Sequence, residues 1–185
     1  MSYTDKLFST VDKFFMEVVM PYGKTYYDAT SYLKKFKPFS KKNYDSFISG
    51  FEKHMDDAGK INMDDIQIPP DDELSNQLKN DFEKSKKSFM TLCKRNMNFF
   101  DFENRRARKE KVSADELKDL FLGVNAAKNS AGRDVENLEE AYKELKASLD
   151  PEFSKAWEQE KAQIKERLEQ EKKKQDSKLK KKANI

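Results

Sequence analysis

Apolar residues recur along this chain at steps of three and four, which is the period of a helix buried along one narrow stripe. From Tyr3 the positions Leu7, Val11, Phe14, Val18, Tyr22, Thr25, Ala29, Tyr32 and Phe36 trace one seam, roughly 35 residues long. Pro21 and Gly23 lie inside it and predict a kink rather than a stop, because proline lacks a donor and crowds the carbonyl four residues back. Pro38 is a second candidate break and Ser40 a candidate cap, after which Tyr44, Phe47, Phe51 and Met55 keep the period. The pattern predicts a first helix over residues 3–57, bent at one or both prolines.

Residues 58–70 read as a loop. Gly59 can end the first helix, Pro69-Pro70 forbids another, and Asp71, Asp72 and Glu73 supply the acids that favour a new N-terminus. The second seam runs Leu74, Leu78, Phe82, Ser85, Phe89, Leu92, Asn96, Phe99, Phe102 and Arg106. Ser113 with Glu116 three residues on forms a capping box and marks the favoured turn into a third helix. Gly132, after Asn129-Ser130-Ala131, is the rival turn, since glycine inside a helix costs about 1 kcal/mol. The third seam passes Leu117, Phe121, Val124, Val135, Leu138, Tyr142, Leu145 and Leu149, and Asp150-Pro151-Glu152 bends or restarts it toward Phe153 and Trp157. These seams divide the chain into a helical domain, residues 1–170, and a Lys-rich flexible tail, residues 171–185.

Composition sharpens this picture. With 36% hydrophobic and 38% charged residues the chain is too polar for a thick core, yet fourteen Phe and seven Tyr are too many for disorder. Long helices burying one or two side chains per turn reconcile the two, so the expected class is all-α. The net charge is only +3, but cations are clustered. Lys34, Lys35, Lys37, Lys41 and Lys42 stand in an acid-free tract. Lys94, Arg95, Arg105, Arg106, Arg108, Lys109 and Lys111 concentrate in residues 94–111, and these two groups are the candidates for contact with an anionic surface. Cys93 is the only cysteine, which excludes an intrachain disulfide and suits a reduced cytoplasmic compartment. No run of 18 apolar residues spans a bilayer, and no charged lead precedes an apolar block as in a signal peptide.

Catalytic chemistry finds no support in the pattern. His54 is the only histidine and reads as a surface residue near a helix end, so a zinc or triad site lacks ligands. Asp64-Asp65 and Asp71-Asp72 lack the spacing of a calcium loop, and no glycine-rich phosphate loop or nucleophile elbow occurs. Cys93 follows Leu92 on the seam and reads as a buried, inert thiol. The aromatic stripe, at helical spacing, reads as packing rather than as a base-stacking platform. No enzyme activity, metal or cofactor is expected.

Residues 94–111 carry a further signal. Lys94-Arg95, an apolar step at Phe99-Phe100, Asp101-Phe102-Glu103, then Arg105 and Arg106, resemble the middle helix of BAR domains of the amphiphysin and endophilin type. Leu149 to Trp157, with Asp150, Pro151 and Glu152, is similar to a third-helix segment of that family. The resemblance implies an elongated, kinked antiparallel three-helix coiled coil forming a curved dimeric helical bundle. It implies a homodimer that binds anionic phospholipid membranes through basic concave and tip surfaces and senses or generates curvature. Residues 105–111 would lie at the distal tips, and the location would be cytoplasmic and peripheral to a membrane, serving endocytosis or trafficking with cytoskeletal or trafficking partners. The seam begins too early to leave room for the N-terminal insertion helix of amphiphysin-like members, and the polar tail begins where their third helix still carries apolar residues. Two other functions fit the composition: a coiled-coil adaptor or cytoskeletal interaction protein without lipid affinity, and a helical protein that binds nucleic acid through its Lys-rich tail.

Overall fold

The computed structural model describes the backbone of residues 1–34 and 41–183, with side chains described for 1–31 and 44–171. Among these residues the fold is all-α, with no strand: α1 (Tyr3–Phe14), a π-helical turn (Phe15–Val19), α2 (Met20–Lys34), α3 (Lys41–Lys60), α4 (Glu73–Ala107), α5 (Ala114–Leu149) and α6 (Pro151–Ala183). The expected break at Pro38, the Ser40 cap and the seam position Phe36 lie outside the described residues. Two compact units divide the chain, residues 1–142 and 143–185.

α1 starts at a capping box: the Ser2 hydroxyl accepts the Asp5 N–H at 3.0 Å, and the Asp5 carboxylate accepts the Ser2 N–H at 2.9 Å. Pro21 then does what the pattern predicts. It cannot donate to the carbonyl of Glu17, so the turn before it widens, and the Met20 N–H reaches back five residues to the Phe15 carbonyl. The helix continues into α2 with Tyr22 still buried.

The helix predicted over residues 3–57 is not one rod. α3 lies beside α2 and runs against it: His54 Nε2 and Thr25 Oγ1 are 2.9 Å apart, and the Tyr22 ring meets Phe51 at 5.7 Å. Gly50 permits the approach, since a Cβ there would sit 3.1 Å from the Thr25 methyl. The apolar face of α3 therefore finds its cover within the same chain. α4 packs antiparallel to α3, with Phe100 against Phe51 at 5.6 Å and Asn104 donating to Asp45 at 2.9 Å. It runs parallel to α1–α2, since Tyr3 donates to Asp72, Phe14 meets Phe82, and Asn96 donates to Tyr22, in that order along both. α5 returns antiparallel, from Glu116 beside Arg105 to Tyr142, whose ring lies 4.8 Å from Phe8. The first unit thus has four passes where the resemblance implies three.

Residues 61–72 are held along α4 by its lysines. Lys79 Nζ donates to the Met63 carbonyl at 2.9 Å and Lys86 Nζ to the Ile61 carbonyl at 3.2 Å, while Ile61, Met63 and Ile66 are buried. Asp72 caps α4 by accepting the Ser75 N–H at 3.1 Å. In the second unit Asp150 caps α6, accepting the N–H groups of Glu152 and Phe153, with Pro151 at the first helical position. Restart rather than bend is therefore the outcome at this proline. Trp157 is buried between Lys143, 4.8 Å from its ring, and Lys161, at 5.6 Å.

His54 departs from its expected surface place, being only 7% exposed. Thr25 Oγ1 also contacts the Pro21 carbonyl at 3.3 Å, so its proton goes there and His54 Nε2–H donates to Thr25. That leaves His54 Nδ1 buried without a partner. Burial lowers the His54 pKa, with Asp57 opposing and Lys53 assisting. The folded value is below the unfolded one, so the unfolded chain takes the proton first as pH falls. Stability is thus full above about pH 6.5, the unfolded histidine range, and is lost as pH falls through the folded value. Urea midpoints measured from pH 8 to pH 5 should decline below that point in the wild type and stay flatter in His54→Gln, which keeps a donor for Thr25. Equal slopes in both proteins would remove His54 as the cause.

Candidate anionic-surface contact

The turn between α4 and α5 occupies residues 108–113, at Ser113 and not near Gly132, which lies inside α5. α4 ends in a Schellman motif: the Glu110 N–H reaches the Arg105 carbonyl at 3.1 Å and the Lys109 N–H the Arg106 carbonyl at 3.0 Å. Lys109 takes the left-handed position at φ 62°, a place usually given to glycine. The Ser113 hydroxyl caps α5 by accepting the Glu116 N–H at 2.9 Å. Glu116 does not complete the box; its carboxylate pairs with Arg105.

That pairing recurs through the predicted tip cluster. Arg105 Nε also meets Asp101 at 3.3 Å, Arg106 meets Glu103 at 3.3 Å, and Arg108 meets Asp45 and Glu110, both at 3.9 Å. Residues 101–116 hold five cations and five acids. Every arginine of the cluster faces a carboxylate, while Lys109 and Lys111 are exposed. The cluster is dense in charge but close to neutral. Phe99, Phe100 and Phe102 anchor it, Phe100 and Phe102 being buried.

The net positive surface lies one stretch earlier on α4. Residues 84–95 contain Lys84, Lys86, Lys87, Lys94 and Arg95 and no acid. Lys84, Lys87 and Lys94, with Thr91 between them, recur at steps of three, four and three and form one exposed ridge. Lys84 pairs with Asp81 at 3.1 Å and Lys86 with Glu83 at 3.0 Å, while Lys87 and Lys94 take no ion pair among the described residues. On one side the ridge borders an open groove of about 530 Å³ between α3 and α4, whose floor is Met55 and Met90 and whose rim includes Lys86. On the other it borders a smaller groove of about 300 Å³ against α5, where Ser88, Thr91 and Ser130 present hydroxyls and Asp134 a carboxylate. Arg95 leans toward α5, its Cδ 3.6 Å from where a Gly123 Cβ would stand.

Lys94 and Arg95 were therefore singled out by the pattern, while Lys84, Lys86 and Lys87 were not. The missing signal was the absence of acids over twelve residues, with three lysines on one helical line. Of the other tract, Lys35 and Lys37 lie outside the described residues, as do the side chains of Lys34, Lys41 and Lys42.

The remaining reactive groups are inside. Cys93 is fully buried, and burial pushes its thiol pKa up to about 12, which keeps it a thiol. Among the described residues no group of three or more His, Cys, Asp or Glu is arranged to hold a metal ion, and no helix is long and apolar enough to cross a membrane. No family model, no curated protein and no solved structure matches this chain.

A left-handed lysine costs about 1 kcal/mol that glycine avoids, so Lys109→Gly should stabilise the fold by about 0.5–1 kcal/mol. Lys109→Val should destabilise it, because a branched Cβ is worse there. Chemical denaturation of both variants checks this; a destabilised Lys109→Gly would contradict the cap geometry.

Proposed function

We propose that the chain is a non-enzymatic helical module that docks peripherally on an anionic phospholipid surface. The observation that carries this reading is the acid-free α4 stretch 84–95, whose Lys84, Lys87 and Lys94 form an exposed ridge. A cation near an anionic bilayer is worth about 1 kcal/mol, so Lys87, Lys94 and Arg95, which take no ion pair among the described residues, supply roughly 3 kcal/mol, about two orders of magnitude in affinity, while Lys84 and Lys86, paired with Asp81 and Glu83, add less. Lys109 and Lys111, and the tract from Lys34 to Lys42, add to that attraction. The paired arginines Arg105, Arg106 and Arg108 contribute less, since their charge is already answered by neighbouring carboxylates. Methionine in the groove beside the ridge gives an apolar floor that adapts to acyl or glycerol groups.

Curvature sensing by a BAR-type homodimer is the finer form of this reading. It draws on the resemblance of residues 94–106 and on the length of α4 and α5, while the four-pass first unit departs from a three-helix subunit. The membrane reading therefore stands on surface charge, and curvature is a separate question for vesicle size dependence.

Co-sedimentation with phosphatidylserine vesicles should show binding that falls steeply between about 50 and 300 mM salt, as screening lengths drop below about 10 Å. Phosphatidylcholine vesicles should bind little. Lys87→Glu/Lys94→Glu should lower affinity for the acidic vesicles by about 30-fold or more, at 1 kcal/mol per lost cation plus repulsion. Arg106→Glu/Arg108→Glu should cost less. Equal binding to both lipids would refute the proposal, a larger loss from the arginine variant would return the contact to the tip, and tighter binding to RNA than to vesicles would favour a nucleic-acid role.

A further inference from the structure

The outward face of α1–α2 carries an apolar line that no described residue of the first unit covers. Met16, Met20 and Tyr27 are 64, 62 and 69% exposed. Gly23 stands between the last two, with open space where its Cβ would be. The steps of four, three and four keep these residues on one stripe. Solvent-facing methionines and tyrosine in line are unusual on a helix whose other face already fills a core.

Charges run beside the stripe, all on the same flank. Lys13, Glu17, Lys24 and Asp28 are exposed, and the last three each follow a stripe position by one residue. Their signs alternate: plus, minus, plus, minus. When two helices pack antiparallel about a two-fold axis, the same flank of each faces the other; in a parallel pair opposite flanks meet. An axis passing between Met20 and Pro21 sets Lys13 opposite Asp28 of a second copy and Glu17 opposite its Lys24. Four opposite-charge pairs result per dimer. Sliding the copy by one turn in one direction faces Lys13 with Lys24, and in the other direction Glu17 with Asp28, so both neighbouring registers oppose like charges.

We propose that this face is a self-association surface, on which a second copy of the chain docks antiparallel with the two-fold axis between Met20 and Pro21. The charge order is what selects the occupant. An isologous contact needs a surface complementary to itself, and a sequence of charges that inverts about its own midpoint is that condition in one dimension. An unrelated partner would impose no such symmetry. The missing Cβ at Gly23 lets the Met16 and Met20 side chains of the copy, which stand on either side of it in this register, settle close to the helix axis. The assignment is independent of lipid binding, and it would double the cations that one particle presents to a surface.

Sedimentation equilibrium of the full chain at low salt should show concentration-dependent growth from the 21.7 kDa monomer toward twice that mass. Lys24→Glu should weaken the dimer about tenfold or more, because two attractive pairs become repulsive. Glu17→Lys/Lys24→Glu should recover most of that loss. Under mild oxidation Met20→Cys, beside the axis, should form a disulfide-linked dimer, whereas Tyr27→Cys, far from it, should not. A monomeric wild type, a double variant no better than Lys24→Glu, or crosslinking at both positions, as a parallel pair would give, would each overturn the proposal. So would a dimer that survives Met20→Asp but is lost in Phe121→Asp, which would put the contact on α5.

Discussion

The first unit is organised around one buried polar contact, the Asn96 amide donating to the Tyr22 hydroxyl at 2.9 Å. Around it are Phe51 at 5.7 Å, Phe89 at 5.0 Å, Tyr26 at 5.9 Å and the His54 ring at 6.2 Å. An aromatic cluster alone would tolerate sliding, because rings pack acceptably in many offsets. A buried hydroxyl and amide do not: leaving either unpaired costs about 1–3 kcal/mol. Asn96 further donates to its own Leu92 carbonyl at 3.0 Å, so its side chain is held from both sides. The pair fixes α2 against α4, and the rings of Phe51 and His54 then bring α3 into the same register. Burial raises the Tyr22 pKa well beyond the ordinary range, so the phenol keeps its proton.

Much of this was legible in the sequence, and the gaps have physical causes. The seam positions Leu7, Val11, Phe14, Leu78, Phe82 and Phe89 are buried, and the Ser113 cap marks the true start of α5. Gly132 proved a poor turn signal because its helix is supported on either side by Ala131 and Leu138, both buried, which outweighs the local cost of one glycine. The reversal between α2 and α3 was missed because periodicity records which face is apolar and not what covers it. Tyr44, Phe47 and Phe51 read equally well as a continuation of one rod or as its return. His54 was misplaced for a related reason: its charged neighbours Glu52, Lys53, Asp56 and Asp57 suggested a surface, yet Phe51, His54 and Ala58 stand at steps of three and four on the buried line.

The site shows the same distinction between counting and geometry. Five cations in residues 105–111 form the densest cluster, but Asp101, Glu103, Glu110 and Glu116 flank them in sequence and Asp45 reaches them from α3, so folding answers each arginine with a carboxylate. The stretch 84–95 has no more cations, yet no acid interrupts it and its lysines share a face. Net local charge after folding, rather than the density of one sign, is what an anionic surface meets. A particle with two such ridges would hold a surface more firmly than either ridge alone, because the second attachment is intramolecular.

All of this depends on the chain reversing between α2 and α3, and one distance decides it. Spin labels at Lys24→Cys and Lys53→Cys, diluted in unlabelled protein so that only intramolecular pairs count, report the separation directly. Both sites are exposed and the native Cys93 is buried. Packed helices with axes about 10 Å apart predict a label distance below about 25 Å. A single helix through residues 3–57, at about 1.5 Å per residue, predicts one near 40 Å, and that result would contradict the account.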